Sequence, residues 1–247
     1  MPRSYEEGPA YYATGKPTRW RDVRAVLHPP YTLWHLSYVV LGAMVARHVN
    51  WTTLEGTLLA FFLAVGVSAH AFDELRGRPL GTTLPNGVLW SAAVLGLAGA
   101  VVLGIVGVGR TNAWLIVFIV IGASLVLSYN LELFEGMVHT DLVFALGWGA
   151  FPVLTSAFAQ DRSITWSALA VAVFAALLSA AQRSLSTPVR LVRRQVTVLD
   201  GEMRLADGRV RQIDRTLLLA PSESALRLMS WATVILAIAL VLARRGL

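Results

Sequence analysis

Seven long apolar stretches, separated by short polar segments, dominate the pattern of the chain. They cover residues 31–48, 53–72, 88–108, 112–130, 140–159, 164–182 and 224–243. A helix needs about 20 mostly apolar residues to cross roughly 30 Å of hydrocarbon, and each stretch is close to that length. The runs 94–108 and 115–127 are apolar on every side, whereas a transmembrane β-strand alternates over about 10 residues. The pattern predicts an all-α, polytopic transmembrane helical bundle of about seven spans.

The composition agrees with this pattern and narrows the class of protein. Of the 247 residues, 55% are hydrophobic and 15% are charged, and the mean hydropathy is +0.60. A soluble domain usually carries about a quarter charged residues, so the composition disfavours an ordinary soluble globule. The chain contains no cysteine, which excludes disulfide bonds, cysteine-ligated metals and cysteine nucleophiles.

Basic residues predict how the chain is oriented. With a cytoplasmic N-terminus, 16 of the 21 Lys and Arg residues lie before residue 31, within 73–87 or 183–223, or at Arg227. Positive residues concentrate on the cytoplasmic side of membrane proteins, so we expect the N-terminus inside and the C-terminus outside. The net charge of +6 is assigned to this topology, and no nucleic-acid partner is expected.

The ends of the spans carry two further signals. The first 28 residues are polar and hold no apolar core, so no cleavable signal peptide is expected before the first span. Tryptophans near the span ends fit the aromatic belt of a membrane interface. These are Trp34, Trp51, Trp90, Trp114, Trp166 and Trp231.

Four parts make up the predicted organisation. Residues 1–30 form a cytoplasmic tail, 31–182 a membrane bundle of six spans, 183–223 a basic cytoplasmic loop, and 224–247 the seventh span with a short outer tail. Within the loop, residues 196–213 alternate and hold two Asp-Gly pairs. This pattern favours a small β-hairpin or a three-stranded meander.

Two polar clusters stand at the predicted cytoplasmic ends of spans. In the first, His70, Asp73 and Glu74 share one face of a helix. The second follows span four and contains Tyr129, Asn130, Glu132, Glu135, His139 and Asp141. Both clusters are able to converge on one cation. The alternative is that they are helix caps and loop residues, with Asp73 and Glu74 paired with Arg76 and Arg78, and Thr140 or Asp141 capping span five.

The order of three segments resembles the UbiA superfamily of intramembrane prenyltransferases, over roughly residues 25–190. The segments are 28–46, with His28-Pro29-Pro30 before the first span, 69–80, with Asp73 and Arg78-Pro79-Leu80, and 128–152, with Tyr129 and a Gly/Pro-interrupted helix at Gly147, Gly149 and Pro152. The resemblance implies that carboxylates hold Mg²⁺ against a prenyl diphosphate, that cationic residues hold the diphosphate, and that an apolar tunnel holds the isoprenoid. By position, Asp73 matches the first aspartate of the family's first motif, and Arg78 matches the arginine that precedes Pro79.

Departures from the family pattern modify this expectation. Ala69 and Gly77 replace the asparagine and the second aspartate of the first motif, and the second acidic motif is absent, because no Asp or Glu lies between Asp161 and Asp200. The expectation is a shortened UbiA-like protein that acts on or binds an isoprenoid diphosphate or prenyl lipid, by prenyl transfer or terpene cyclisation. One metal, Mg²⁺, would be held by His70, Asp73 and Glu74, the expected catalytic residues, with help from Glu132, Glu135, His139 or Asp141. The residues expected to hold the diphosphate are Arg78, Arg183, Arg190, Arg193, Arg194, Tyr129 and Asn130.

Three other hypotheses stay open at the level of the sequence. Histidine and carboxylates bind transition metals for redox or hydrolytic chemistry, and Glu135 and His139 lie one turn apart if span five starts early. The second hypothesis is a catalytically inactive protein that binds lipid, or a subunit that docks on a partner through residues 195–214. A transporter is the third, and the near absence of charge within the spans disfavours it.

Overall fold

The computed structural model describes residues 8–16 and 18–247, so Arg3, Glu6 and Glu7 of the predicted tail lie outside the described residues. It is mostly helical, at 73%. The helices are α1 (Arg19–Leu27), α2 (Pro29–Met44), α3 (Trp51–Leu75), α4 (Asn86–Arg110), α5 (Leu115–Asn130), α6 (Asp141–Asp161), α7 (Trp166–Arg194) and α8 (Arg215–Arg245). A short 3₁₀ turn lies at Phe134–Gly136. The all-α prediction is therefore confirmed.

Within the described residues, five helices are long and apolar enough to cross a membrane: α3, α4, α6, α7 and α8. The apolar helix α5 is shorter. The exposed fraction of Trp114 is 71% and that of Trp166 is 88%, as expected for tryptophans at a membrane interface. Trp34 is different: it is buried, and its Nε1 donates a hydrogen bond to Tyr38 Oη (2.7 Å). The five helices support an integral membrane protein, whereas the prediction that Trp34 belongs to an interfacial belt is wrong.

The predicted basic loop at 183–223 is mostly helical. Helix α7 continues through Pro188 to Arg194, and α8 already begins at Arg215, so the connecting segment shrinks to 195–214. A hydropathy pattern ends a span where charged residues begin. The helix itself continues, because Ser179, Ser186 and Val189 stay buried at helical spacing.

A small hairpin occupies this connecting segment. Strand β1 (Glu202–Arg204) pairs antiparallel with β2 (Val210–Gln212), with Glu202 opposite Gln212. The second Asp-Gly pair lies in the turn, where Gly208 has a φ of +84° that favours glycine. The first Asp-Gly pair precedes β1, so of the two predicted forms the structure adopts the hairpin.

Two glycines bring helix backbones into direct contact. A Cβ on Gly42 of α2 would lie 2.2 Å from the carbonyl oxygen of Val153 in α6. A Cβ on Gly149 of α6 would lie 2.4 Å from the carbonyl oxygen of Ala175 in α7. Membrane helices pack most closely through such small residues, so these contacts fix α6 between α2 and α7.

Two helices contain π-helical turns, Phe62–Ala69 in α3 and Ala145–Ala150 in α6. The second coincides with Gly147 and Gly149 and ends just before Pro152, where the sequence predicts an interruption. Short π-helical insertions widen a helix and often occur at functional sites. Both insertions border the cavities described below.

Candidate functional site

A cavity of about 150 Å³ lies where α2 begins and where α3, α5 and α7 end. We call it the polar cavity. It is lined by residues from five helices and from the N-terminal segment 9–12. Its polar lining includes Tyr12, His28, Tyr31, His70, Asp73, Tyr129, Asn130, Arg190 and Arg194. The two arginines and the aromatic side chains of this lining suit the anionic head of a ligand.

Glu74 lines the polar cavity and is described below; the other charges in the cavity come from Asp73, Arg190 and Arg194. None of these three takes part in the ion pairs found among the described residues. Both arginines lie within electrostatic range of Asp73. Arg190 donates one hydrogen bond, to Thr187 Oγ1 (3.2 Å), and Arg194 donates one, to the carbonyl of Pro9 (3.3 Å). Since a guanidinium has five N–H donors, most of their donor capacity is left for a ligand.

Two imidazoles form one wall of the polar cavity. His28 and His70 stack with their ring centroids 4.1 Å apart and their planes 20° apart. Tyr12 Oη and His28 Nδ1 share a hydrogen bond (3.1 Å), and another joins His70 Nδ1 to the carbonyl of Gly66 (3.3 Å). Burial lowers the pKa of His28 well below its ordinary value, and the nearby positive groups add to that effect. His28 is therefore neutral at physiological pH.

A second, apolar cavity of about 200 Å³ lies between α3, α4, α5 and α6. Its walls are mostly aliphatic and aromatic, and it shares three lining residues with the polar cavity: His35, Val65 and Trp148. We call these three residues the junction. Val65 and Trp148 belong to the π-helical turns of α3 and α6. The two cavities thus adjoin, and together they match a molecule with a polar head and an apolar chain.

Glu74 holds a loop rather than a ligand. Its carboxylate accepts hydrogen bonds from the backbone N–H of Leu80 (3.0 Å), the N–H of Thr82 (2.9 Å) and the hydroxyl of Thr82 (2.8 Å). These hydrogen bonds favour a structural role for Glu74 over the predicted role as a metal ligand and catalytic residue. The alternative pairing of Asp73 and Glu74 with Arg76 and Arg78 is not found among the described residues: Arg76 pairs with Glu132, and Arg78 donates to Thr82 Oγ1 (3.3 Å) and to Asn86.

Two more of the arginines assigned to a diphosphate are committed to protein groups. Arg193 makes a bidentate pair with Glu223, with Nε···Oε1 2.5 Å and Nη2···Oε2 3.1 Å. Arg183 donates to Tyr129 Oη (2.6 Å) and pairs with Asp141. These contacts favour structural roles for Arg78, Arg183 and Arg193, and of the predicted arginines Arg190 and Arg194 line the polar cavity.

Of the second polar cluster, Tyr129 and Asn130 line the polar cavity, whereas its acidic residues and His139 do not. Glu132 pairs with Arg76 (2.8 Å), and His139 stacks on the ring of Tyr129 at 4.2 Å. Exposed Glu135 has a φ of +57° and α6 begins only at Asp141, so Glu135 and His139 do not share a helix as the transition-metal hypothesis requires. Thr140 caps α6, as the capping alternative predicts. Within 8–16 and 18–247, no three His, Asp or Glu side chains are grouped for a metal.

Sequence reasoning missed three residues of the site. Tyr12 belongs to a segment with no distinctive pattern, and the sequence singles out His28 only within His28-Pro29-Pro30, without a role in the site; folding of the N-terminal segment over the cavity brings the two residues together. His35 did carry a signal, because a histidine inside an apolar span is costly unless it has a function.

The comparisons with known proteins add no relative: no protein-family model matches the chain, and no curated protein or solved structure shows significant similarity to it.

Proposed function

We propose that the protein binds an isoprenoid diphosphate or prenyl lipid, with its head in the polar cavity and its chain in the apolar cavity. The observation that carries this proposal is the shared junction of His35, Val65 and Trp148. Reaction by prenyl transfer or terpene cyclisation is the activity that the resemblance of the sequence to the UbiA superfamily implies. The proposal includes a UbiA-like bundle of seven spans, with α2 and α5 as its two shorter spans.

Arg190 and Arg194 would bind the diphosphate. A guanidinium presents two parallel N–H groups to phosphate oxygens, and these charge-assisted hydrogen bonds are stronger than neutral ones. The N-terminal segment 9–12 lines the same cavity and limits its contact with water. With the N-terminus inside, this cavity opens on the cytoplasmic side, where the basic residues are concentrated.

Asp73 fits a single Mg²⁺ ion. Mg²⁺ is usually held by one or two carboxylates together with the phosphates of its substrate, and Asp73 shares the polar cavity with the two arginines. When bound, the ion supplies positive charge that stabilises a departing diphosphate. The arginines retain the diphosphate, and the aromatic and aliphatic walls of the junction keep water from the reacting carbon of the chain.

Release of pyrophosphate from geranylgeranyl diphosphate, measured with and without Mg²⁺, tests the proposal. We expect Mg²⁺-dependent release by the wild-type protein, and a loss of at least tenfold for Asp73→Asn and for Arg190→Gln. Arg211→Gln is the matched control, because Arg211 is exposed in β2, away from the cavities. If the wild-type protein neither binds nor turns over geranylgeranyl diphosphate, the proposal is contradicted.

Binding without turnover is the second candidate function. It is favoured by the commitment of Glu74, Glu132 and Asp141 to protein partners, so Asp73 is the carboxylate of the polar cavity that is left for a metal. Stoichiometric binding of geranylgeranyl diphosphate without pyrophosphate release would support it. In that case a partner subunit on residues 195–214 remains a prediction, consistent with the exposed Val198 and Val210, and co-purification of a stoichiometric partner would test it.

A further inference from the structure

His35 carries a polar atom that the protein itself does not satisfy. Its Nε2 is buried and makes no hydrogen bond of regular geometry among the described residues, although the backbone of Trp148 lies near the imidazole ring; the residue as a whole is 5% exposed. Buried polar atoms in folded proteins are almost always hydrogen-bonded, so each exception calls for an explanation. Bound ligand is one such explanation when the atom borders a cavity.

The position of His35 favours that explanation. It is one of the three junction residues, so it borders the polar cavity and the apolar cavity at once. Its ring lies 5.7 Å from the ring of Phe61, and the other junction residues are Val65 and Trp148. No carboxylate or guanidinium belongs to this group of side chains, and an apolar setting strongly disfavours a charged ligand atom. The group that meets Nε2 is therefore uncharged.

We propose that Nε2 of His35 hydrogen-bonds to a hydroxyl or carbonyl group of an apolar ligand at the junction, and that His35 selects ligands by this group. The inference rests on the proposed function for the placement of the head and the chain. It adds a requirement, because a prenyl chain has no polar atom beyond its diphosphate. The hydroxyl or carbonyl thus belongs to a different ligand that occupies the junction in place of the prenyl chain, either a free long-chain alcohol or an ester-linked membrane lipid.

Native mass spectrometry of the full chain in nanodiscs, with three probes, tests this selection. The probes are geranylgeraniol, the hydrocarbon of the same carbon skeleton without the hydroxyl, and 1-oleoylglycerol. The His35→Leu variant should bind a hydroxyl-bearing probe about fivefold more weakly than the wild type, which is the usual effect of losing one neutral hydrogen bond. Its affinity for the hydrocarbon should be unchanged. His35→Gln, which keeps a hydrogen-bonding group, should stay within about twofold of the wild type. Preference for geranylgeraniol over 1-oleoylglycerol identifies the free alcohol as the source, and the reverse identifies the membrane lipid.

Thermal unfolding separates selection by His35 from a structural role. If Nε2 has no protein partner, His35→Leu without ligand should unfold at the wild-type temperature or higher, and only the ligand-induced shift should shrink. Equal losses for the alcohol and the hydrocarbon, no loss for either, or a lower unfolding temperature of the unliganded variant would overturn the proposal. Binding of geranylgeranyl diphosphate, measured on the same samples, reports on the proposed function alone. His48→Leu, in the loop between α2 and α3, is the matched control.

Discussion

The variant Glu223→Gln should lower the free energy of unfolding by about 3 kcal/mol or more, because it removes the carboxylate charge that pairs with the buried guanidinium of Arg193. The side chains of Arg193 and Glu223 are only 4% and 1% exposed. Their two contacts, at 2.5 and 3.1 Å, form a bidentate pair that water does not reach. A neutral amide retains the shape of the carboxylate and removes its charge, so the loss reports mainly on the electrostatic pairing.

Equilibrium unfolding in mixed micelles, followed by tryptophan fluorescence and circular dichroism, measures this loss. Arg227→Gln is the control, because Arg227 is 54% exposed and its guanidinium lies 3.9 Å from Glu223. Exposed pairs contribute little, so the control should lose less than about 1 kcal/mol. The double variant Arg193→Met with Glu223→Leu should recover at least half of the stability lost by Glu223→Gln, since apolar pairs often replace buried ion pairs without loss.

Two results would refute this reasoning. A loss below about 1 kcal/mol for Glu223→Gln would mean that water or another group compensates the guanidinium. The second concerns the site: if Arg193 is structural, a folded double variant should bind geranylgeranyl diphosphate with wild-type affinity. A large loss of affinity in that variant would return Arg193 to the set of residues that bind the diphosphate.

Three further predictions concern the loop, the imidazoles and the helix contacts. Glu74→Gln should cost about 1–3 kcal/mol and speed amide exchange at 78–82, because an amide leaves one donor of Leu80 or Thr82 unsatisfied; an exchange rate equal to that of the control Glu55→Gln would contradict the anchoring role. Burial holds the pKa of His28 below its value in the unfolded chain, so as the pH falls below about 6.5 the imidazole binds a proton in the unfolded chain and not in the folded protein. The free energy of unfolding should therefore fall from pH 7 to pH 5, and His28→Gln should make this dependence on pH shallower. An equal dependence on pH in the wild type and the variant would exclude the effect. Gly42→Ala should lower the free energy of unfolding by about 1–3 kcal/mol, because the added Cβ would meet the backbone of Val153. The control Gly56→Ala has nothing within 4 Å of the added Cβ and should be neutral or stabilising. Equal effects of the two variants in unfolding experiments would argue against the close contact of α2 and α6.

Local sequence patterns predict the class of the fold, but they do not predict where α7 ends or where α8 begins. Apolar runs predict most spans because each helix must present apolar surface to lipid or to its neighbours. Helix α7 extends 12 residues past the predicted end at 182, since burial at Ser186 and Val189 supports helix where hydropathy does not. The hairpin could be predicted because the Asp207-Gly208 turn is a local signal.

The candidate site was predictable in part. Asp73, His70, Arg190 and Arg194 could be assigned to one cavity because they lie at span ends on the same predicted side. The sequence does not predict which arginines are left for a ligand, because Arg193 differs from Arg194 by its pairing with Glu223, 30 residues further along the chain. Glu74 is distinguished from Asp73 in the same way, by a loop that folds back onto its carboxylate.

Photo-crosslinking tests the central claim that the two cavities hold one amphiphilic ligand. The probe is geranylgeranyl diphosphate with a diazirine at the end of its chain, and labelled peptides are located by mass spectrometry. We predict labelling of the α3 and α6 residues that line the apolar cavity, such as Ala60 and Phe151, with suppression by excess unlabelled diphosphate and by Arg190→Gln. Labelling confined to exposed positions of α4, such as Leu95 and Val102, without competition, would contradict the account.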